Sequence, residues 1–329
     1  MDKPYFSIVC GVYNREKMIK RCIDSCLNQT FHDFEVIVVD DGSTDNTLKV
    51  LNQIYDPRIR IIPDPENRGI SPARYIGIKN AKGKWVVGLD SDWELFPYSL
   101  QRFYDLTNSI DENIIVVRAR QILGSGLVAP SFVPTEPIDY VERIKYVESE
   151  GGSDVLPCYR REVFNKVIFE PNRRGSLEYL FNLNMAQEGL MLYIEDVLCR
   201  QYLNAPNSAT RGNFKHRVEN FKKSAPDMLW MFLETMSLHG KALKDYGPNQ
   251  YLSLHRNIAL QYFYLGNRRQ GFKSMLYYLR RKPFDLLTWS TLLLGLMGSK
   301  VILYGNSIRN EIRVSSLRHY ISTQHIFNL

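Results

Sequence analysis

The chain has few cysteines, no long apolar run and no compositionally biased stretch, and each lack excludes a class of protein. Its five cysteines (Cys10, Cys22, Cys26, Cys158 and Cys199) are scattered over 329 residues. An odd, unclustered set builds no disulfide framework and fits a reducing compartment. The six histidines show no metal-ligand spacing. No apolar stretch reaches the roughly 18 residues that a bilayer span needs. The opening MDKPYFSIVC lacks the long apolar core and cleavage site of a signal peptide. What remains is a globular composition, 44% apolar and 23% charged, long enough for one large α/β domain with a smaller appendage.

Charge divides the chain. Residues 217–329 carry 16 Lys and Arg against 6 Asp and Glu, a balance of +10, whereas the preceding 216 residues balance at −3. A basic C-terminal third calls for an anionic partner or is simply a solvated face. It holds no dense basic run with stacking aromatics and no recognisable motif, so nucleic acid is not expected.

Short β-forming runs alternate with amphipathic stretches through the first 90 residues. Phe6 to Cys10, Phe34 to Val39, Arg58 to Ile62 and Trp85 to Leu89 read as buried strands. Asn14 precedes an amphipathic stretch with Met18, Ile19, Cys22, Ile23, Cys26 and Leu27 on one face, so Asn14 is its expected N-cap. Thr44 or Asp45 can cap the next helix, and residues 71–81 read as a third. This alternation gives a parallel sheet with helices on both faces, whose ligands bind at the carboxyl ends of the strands. Two acidic clusters, Asp40/Asp41 and Asp90/Asp92, fall at such ends. Beyond residue 216 the pattern is helical. Leu286 to Met297 is uncharged and mostly apolar, and Arg280, Arg281 and Lys282 precede it. That pattern suits a helix lying in a membrane interface, or one buried in a helical bundle.

Asp90 and Asp92, two apart at a strand end, can share one hard divalent cation, Mg²⁺ or Mn²⁺, that keeps positions open for phosphate oxygens. Taken alone, such a triplet is more often a solvated turn. Asp40-Asp41-Gly42-Ser43 is likewise either a turn whose carboxylates bond their own backbone or a carboxylate site for a nucleobase or ribose. Gly124-Ser-Gly-Leu-Val-Ala129 matches a dinucleotide fingerprint, but Pro130 and Pro134 favour a loop where that motif must open a helix. Cys22 and Cys26 lie on an apolar helical face and read as buried thiols.

In order and spacing, five segments resemble inverting family-2 glycosyltransferases of the GT-A fold: Ser7-Ile-Val-Cys-Gly-Val-Tyr-Asn14, Val38-Val-Asp-Asp-Gly-Ser-Thr-Asp45, Asn67-Arg-Gly69 with Ala73-Arg74, Ala81-Lys-Gly83, and Gly88-Leu-Asp-Ser-Asp92. The resemblance implies a GT-A-type (Rossmann-like) α/β fold: a mixed, mostly parallel sheet flanked by helices, with a helical C-terminal extension. Residues 1–110 would form the nucleotide-sugar-binding half and 111–215 the acceptor-binding half. Residues 216–285 would be the extension and 286–329 an apolar and basic membrane-associating tail. Tyr13, Asp40, Asp41, Arg74 and Asp90 would hold the nucleotide, and Asp90 and Asp92 the divalent metal.

Family members carry their catalytic carboxylate in a Glu-Asp pair opening a helix. Leu177-Glu178 occupies that frame here, with Leu177 replacing the first acid and Asn184 a usual arginine, so Glu178 is the expected base and Asp154 the reserve. His216 is a possible diphosphate contact. The implied activity is transfer from a nucleotide-sugar, UDP by preference, to a surface-glycan or lipid-linked acceptor. The expected location is peripheral, at the cytoplasmic face of an anionic membrane. A catalytically inactive scaffolding relative and a nucleotidyltransferase are the alternatives. The second would want a Gly-rich, basic loop after the first strand, and Val12-Tyr-Asn-Arg15 lacks it.

Overall fold

The computed structural model describes residues 3–152, 155–175, 177–202, 214–303 and 305, with 214–217 described by their backbone alone. The chain forms two compact units, Met1–Ala205 and Pro206–Leu329.

The first unit opens with β1 (Phe6–Val12), α1 (Ile19–Leu27), β2 (Phe34–Asp41), α2 (Thr47–Leu51), β3 (Ile59–Asp64), α3 (Ile70–Asn80) and β4 (Trp85–Asp90). All of β1 and nearly all of β2 are buried. Both faces of the sheet are covered, so these strands read as continuous apolar runs where a half-exposed strand would alternate. The second half contributes β5 (Trp93–Leu95), α4 (Ser99–Thr107), β6 (Ile114–Ile122), β7 (Val128–Ala129), α5 (Tyr140–Glu150), β8 (Leu156–Arg160), α6 (Glu178–Gln187) and β9 (Leu190–Gln201). The strand order is β3-β2-β1-β4-β8-β6-β9-β5, with β7 paired to β6. β8 runs antiparallel to β4 and to β6, while β1 to β4 pair in parallel and β6 pairs in parallel with β9. The sheet is thus mixed and mostly parallel, as the sequence implies.

Alternate residues of each strand feed two apolar layers. Ile8, Val36, Val38 and Trp85 pack with Ile19, Cys22 and Ile23 of α1 and with Phe103 of α4. On the other face, Val9, Ile37, Val39 and Val116 pack with Ala73 of α3 and with Phe181 and Met185 of α6. All five cysteines are buried and unbridged.

Asn14 is not the cap that its position suggests. The helix begins at Ile19 behind Met18, with no side-chain cap. Asn14 instead adopts a left-handed backbone, φ 51°, which Asn tolerates better than most residues. Its Oδ1 accepts from the N–H of Thr44 at 2.7 Å, and the Ser43 hydroxyl accepts from its own N–H at 2.9 Å. Loops far apart in sequence compete for this side chain and win it from the nearby helix. Neither Thr44 nor Asp45 is the N-cap of α2, which is Asn46 with no side-chain cap bond, although Asp45 accepts the Thr47 N–H at 2.9 Å from one residue further back. Gly124 to Leu127 lies in the turn between β6 and β7, and the segment opens no helix.

The second unit comprises α7 (Phe214–Tyr246), α8 (Pro248–Tyr264), α9 (Arg268–Leu279) and α10 (Leu286–Met297). The buried Phe263 ring is at its centre, and Gly271 and Gly295 leave it room: a Cβ on either would come within 2.5 Å of the ring. Asp285 caps α10, accepting from the Thr288 N–H at 2.9 Å and from its hydroxyl at 2.8 Å. No described helix is long and apolar enough to cross a membrane.

Candidate active site

The register pairs Gly11 with both Val39 and Asp90, so β1, β2 and β4 end side by side. Three loops converge at that edge. Gly42 turns with φ 67°, and a Cβ there would lie 2.6 Å from the backbone nitrogen of Asn67. Gly69 turns with φ 105°, and a Cβ there would lie 2.2 Å from the Arg174 carbonyl oxygen. Ser71 donates to the Gly175 carbonyl at 2.7 Å, tying the start of α3 to the segment that leads into α6.

The two acids of the first cluster diverge. Asp41 accepts from the N–H groups of Arg68 and Gly69, each at 2.8 Å, so both of its oxygens hold the protein's own loop. Burial pushes its pKa up to about 6, against the pull of those two donors, and neighbouring Asp64 adds to the rise. Asp40 is 2% exposed; its Oδ2 accepts from the Ser43 N–H at 3.3 Å, while its buried Oδ1 has no hydrogen-bond partner. A buried carboxylate oxygen whose lone pairs are unused can accept from a donor.

At the end of β4, Arg74 of α3 joins two acids. Its Nη2 donates to Asp90 Oδ1 at 2.7 Å and its Nη1 donates to Glu178 Oε1, the first residue of α6. Burial alone would lower the Arg74 pKa, but the two carboxylates more than offset it and hold the cation firmly. A cavity of about 90 Å³ opens beside this group, lined among others by Arg74, Asp90, Arg118, Phe169, Glu178 and Asn182. Asp92 follows at the strand end, partly exposed, and its backbone carbonyl accepts from the Tyr202 N–H at 2.9 Å. Arg15, lowered by its burial, lies within the field of Asp92, Asp45 and Asp90. Tyr13 is half-buried at the exit of β1, where its carbonyl accepts from Arg15 Nη1 at 3.1 Å.

The structure therefore brings Arg74, Asp90 and Glu178 into direct contact, places Asp92 at the same strand end, and sets Asp40, Asp41 and Tyr13 on the adjoining strand ends. Asp154 and the side chain of His216 lie outside the described residues. Among the described residues, no group of three or more His, Cys, Asp or Glu side chains could hold a metal ion. Carboxylates are the donors that Mg²⁺ and Mn²⁺ prefer, and Asp90 and Asp92 supply two of them at the end of β4, where Asp90 Oδ1 already accepts from Arg74. Sequence reasoning missed Arg118 and Asn182. The signal was present: an arginine that breaks the apolar run Ile-Ile-Val-Val-Arg118, and a polar side chain one helical turn beyond Glu178.

Residues 7–167 match the model of glycosyl transferase family 2. The poly(ribitol-phosphate) beta-glucosyltransferase of Bacillus spizizenii is 32% identical over 184 residues, covering 54% of this chain but only 29% of that protein. The chain thus spans less than a third of that relative's length. Among solved structures, Staphylococcus aureus TarS residues 1–349 in complex with UDP-GlcNAc superposes with a TM-score of 0.52 at 19% identity, covering 87% of this chain and 90% of TarS 1–349. The mannosyltransferase PcManGT of Pyrobaculum calidifontis, in complex with GDP-Man and Mn²⁺, superposes with a TM-score of 0.56 at 16% identity, covering 95% and 87%. Motif order, family model and fold agree: residues 7–167 match glycosyl transferase family 2, and the chain has the GT-A fold.

Proposed function

We propose that this chain is an inverting glycosyltransferase that moves a sugar from a UDP-sugar to a hydroxyl of a surface-glycan or lipid-linked acceptor. The observation that carries the reading is the Arg74 bridge between Asp90 and Glu178 beside a cavity at the carboxyl end of β4. Residues 1–110 hold the donor. The unfilled Oδ1 of Asp40 suits the imide N–H of uracil, with Tyr13 beside it, and Asp41 supports the pocket by fixing the 66–69 loop. Asp90 and Asp92 would hold a divalent metal on the diphosphate, where it would neutralise the charge that develops on the leaving group. The complex of a fold neighbour with Mn²⁺ supports that choice of metal.

Glu178 accepts the proton of the acceptor hydroxyl as that oxygen attacks the anomeric carbon from the face opposite the diphosphate, and configuration inverts. Arg74 orients Glu178 and Asp90 relative to one another. Positioning and leaving-group stabilisation supply most of the acceleration. Glu178 lines the cavity together with Asp90.

The basic second unit suits attachment at the cytoplasmic face of an anionic membrane. Phe284 is 92% exposed and Leu286 80%, Leu287, Leu293 and Met297 are exposed beyond them, and Arg280, Arg281 and Lys282 precede the helix on the surface. Apolar side chains beside cations are the composition of an interfacial helix.

A screen of UDP-, GDP- and CMP-sugars with and without Mn²⁺, read by thermal stabilisation and slow donor hydrolysis, tests the reading. UDP-sugars should stabilise the protein only with metal. Metal-independent binding would remove the metal assignment, and no response to any nucleotide would leave the inactive scaffold as the better account.

A further inference from the structure

Two buried arginines of the first unit have no carboxylate partner among the described residues. Arg118 of β6 and Arg143 of α5 are 5% and 6% exposed. Arg118 Nη2 donates to Asn182 Oδ1 at 2.6 Å, but its buried Nε has no hydrogen-bond partner. In Arg143, both Nε and Nη1 are buried and without partners. Among the described residues neither guanidinium enters an ion pair. Burial lowers the pKa of Arg143, and the Arg118 charge lowers it further, so the two cations feel each other; the phenols of Tyr193, Tyr179 and Tyr159 act in the opposite direction. The contrast with Arg74, clasped by two carboxylates, is sharp.

A guanidinium does not escape burial by losing its proton. Two like charges with three idle donors in a low-dielectric interior are costly unless an anion offsets them. Arg118 also lines the cavity that holds Asp90 and Glu178, and its volume of about 90 Å³ is several times what one water needs, ~10–15 Å³. The Arg118 anchor, Asn182, is four residues after Glu178 on α6, so the proton acceptor and the arginine's holder share one helix face.

We propose that Arg118 and Arg143 form an anion subsite on the acceptor side of the reaction centre. The subsite takes a phosphate or carboxylate of the acceptor, which makes that acceptor an anionic chain and not a neutral glycan. The assignment rests on the glycosyltransferase reading. The anion is held beside Glu178, which sets the neighbouring hydroxyl of the same acceptor against the base.

Calorimetric titration of the full chain with inorganic phosphate, at constant ionic strength and with or without saturating UDP and Mn²⁺, tests it. Phosphate should bind saturably, and UDP should leave that binding unchanged. R118M and R143M should each weaken phosphate about tenfold or more, the loss of a charged hydrogen bond, while UDP affinity stays as in the wild type. Competition between phosphate and UDP would place the arginines in the donor site and overturn the acceptor assignment. Absence of phosphate binding with intact UDP binding would remove the subsite alone. Failure of UDP itself to bind would bring down the transferase reading and the acceptor assignment with it. The competition experiment needs only the wild-type chain, so it decides even where a variant fails to fold.

Discussion

The two units use their cations in opposite ways. In the first, arginines are drawn inward or against acids: Arg74 between Asp90 and Glu178, Arg102 on Asp196 at 2.8 Å, Arg58 on Asp56 at 2.9 Å. In the second, no ion pair joins two described residues, and Arg280, Arg281 and Lys282 are exposed, Arg281 stacking 3.8 Å above the Tyr277 ring. Charges fixed by partners build a site with defined geometry, whereas charges left in water attract a surface without specifying one. Chemistry should therefore fail with substitutions in the first unit, and location with substitutions in the second.

The largest effect is expected for Glu178→Gln, which keeps the shape and a hydrogen bond to Arg74 but cannot take a proton. Turnover should fall about 10²–10⁴-fold with donor affinity unchanged, measured by initial rates and calorimetry. Wild-type turnover in this variant would move the base elsewhere, and Asp154→Asn would then be the substitution to examine. Next comes Asp92→Asn, which should cost about a hundredfold or more in metal-dependent turnover and leave thermal unfolding of the apo chain in place; a fully active variant would sink the two-carboxylate metal site. Replacing Leu286, Leu287, Leu293 and Met297 by Ser should reduce sedimentation with anionic vesicles about tenfold or more while sparing donor hydrolysis in solution. Unchanged sedimentation would show that this helix is not what meets the membrane.

The smallest effect separates the units by pH. Asp41 titrates near 6 in the fold, above an ordinary aspartate, so between pH 4 and 6 the folded first unit holds a proton that the unfolded chain has released. Its stability is full below that window and declines as pH rises through it. His255, stacked 3.8 Å from the Tyr277 ring, is lowered to about 4 by burial and then by the Arg281 charge. Over nearly the same window the unfolded second unit holds a proton that the folded one lacks, so its stability grows as pH rises from about 4 to 6.5 and is lost on acidification. Hydrogen exchange resolved by unit should show opposite slopes, each worth about 1–2 kcal/mol. Parallel slopes would refute one of the two titrations.

What was legible in the sequence follows from the range of the forces involved. β1 and β4 were readable because strands buried on both faces are apolar throughout, and α10 because its run from Leu286 to Met297 is uncharged and mostly apolar. The antiparallel insertion of β8 between β4 and β6 was not readable, because nothing local in Leu-Pro-Cys-Tyr-Arg160 encodes which strands lie beside it. Asn14 misled because its amide binds a loop 30 residues away instead of the helix that follows. The Arg74 clasp spans 104 residues to Glu178, a distance only the resemblance to a family could bridge. Arg118 and Arg143 were overlooked because sequence patterns reward apolar periodicity and pass over the charge that breaks it.

The near-contact of Gly69 with the Arg174 carbonyl has a consequence for how this molecule tolerates change in length. The stretches 66–69 and 172–175 meet backbone to backbone, and from that seam α3 departs with Arg74 and α6 with Glu178. An inserted residue on either side would slip the two helices against each other and separate base from clasp before it touched any substrate. The turn at Gly126, where an added Cβ would meet nothing within 4 Å, is the opposite kind of place. Insertions, tags or lineage-specific embellishments belong there.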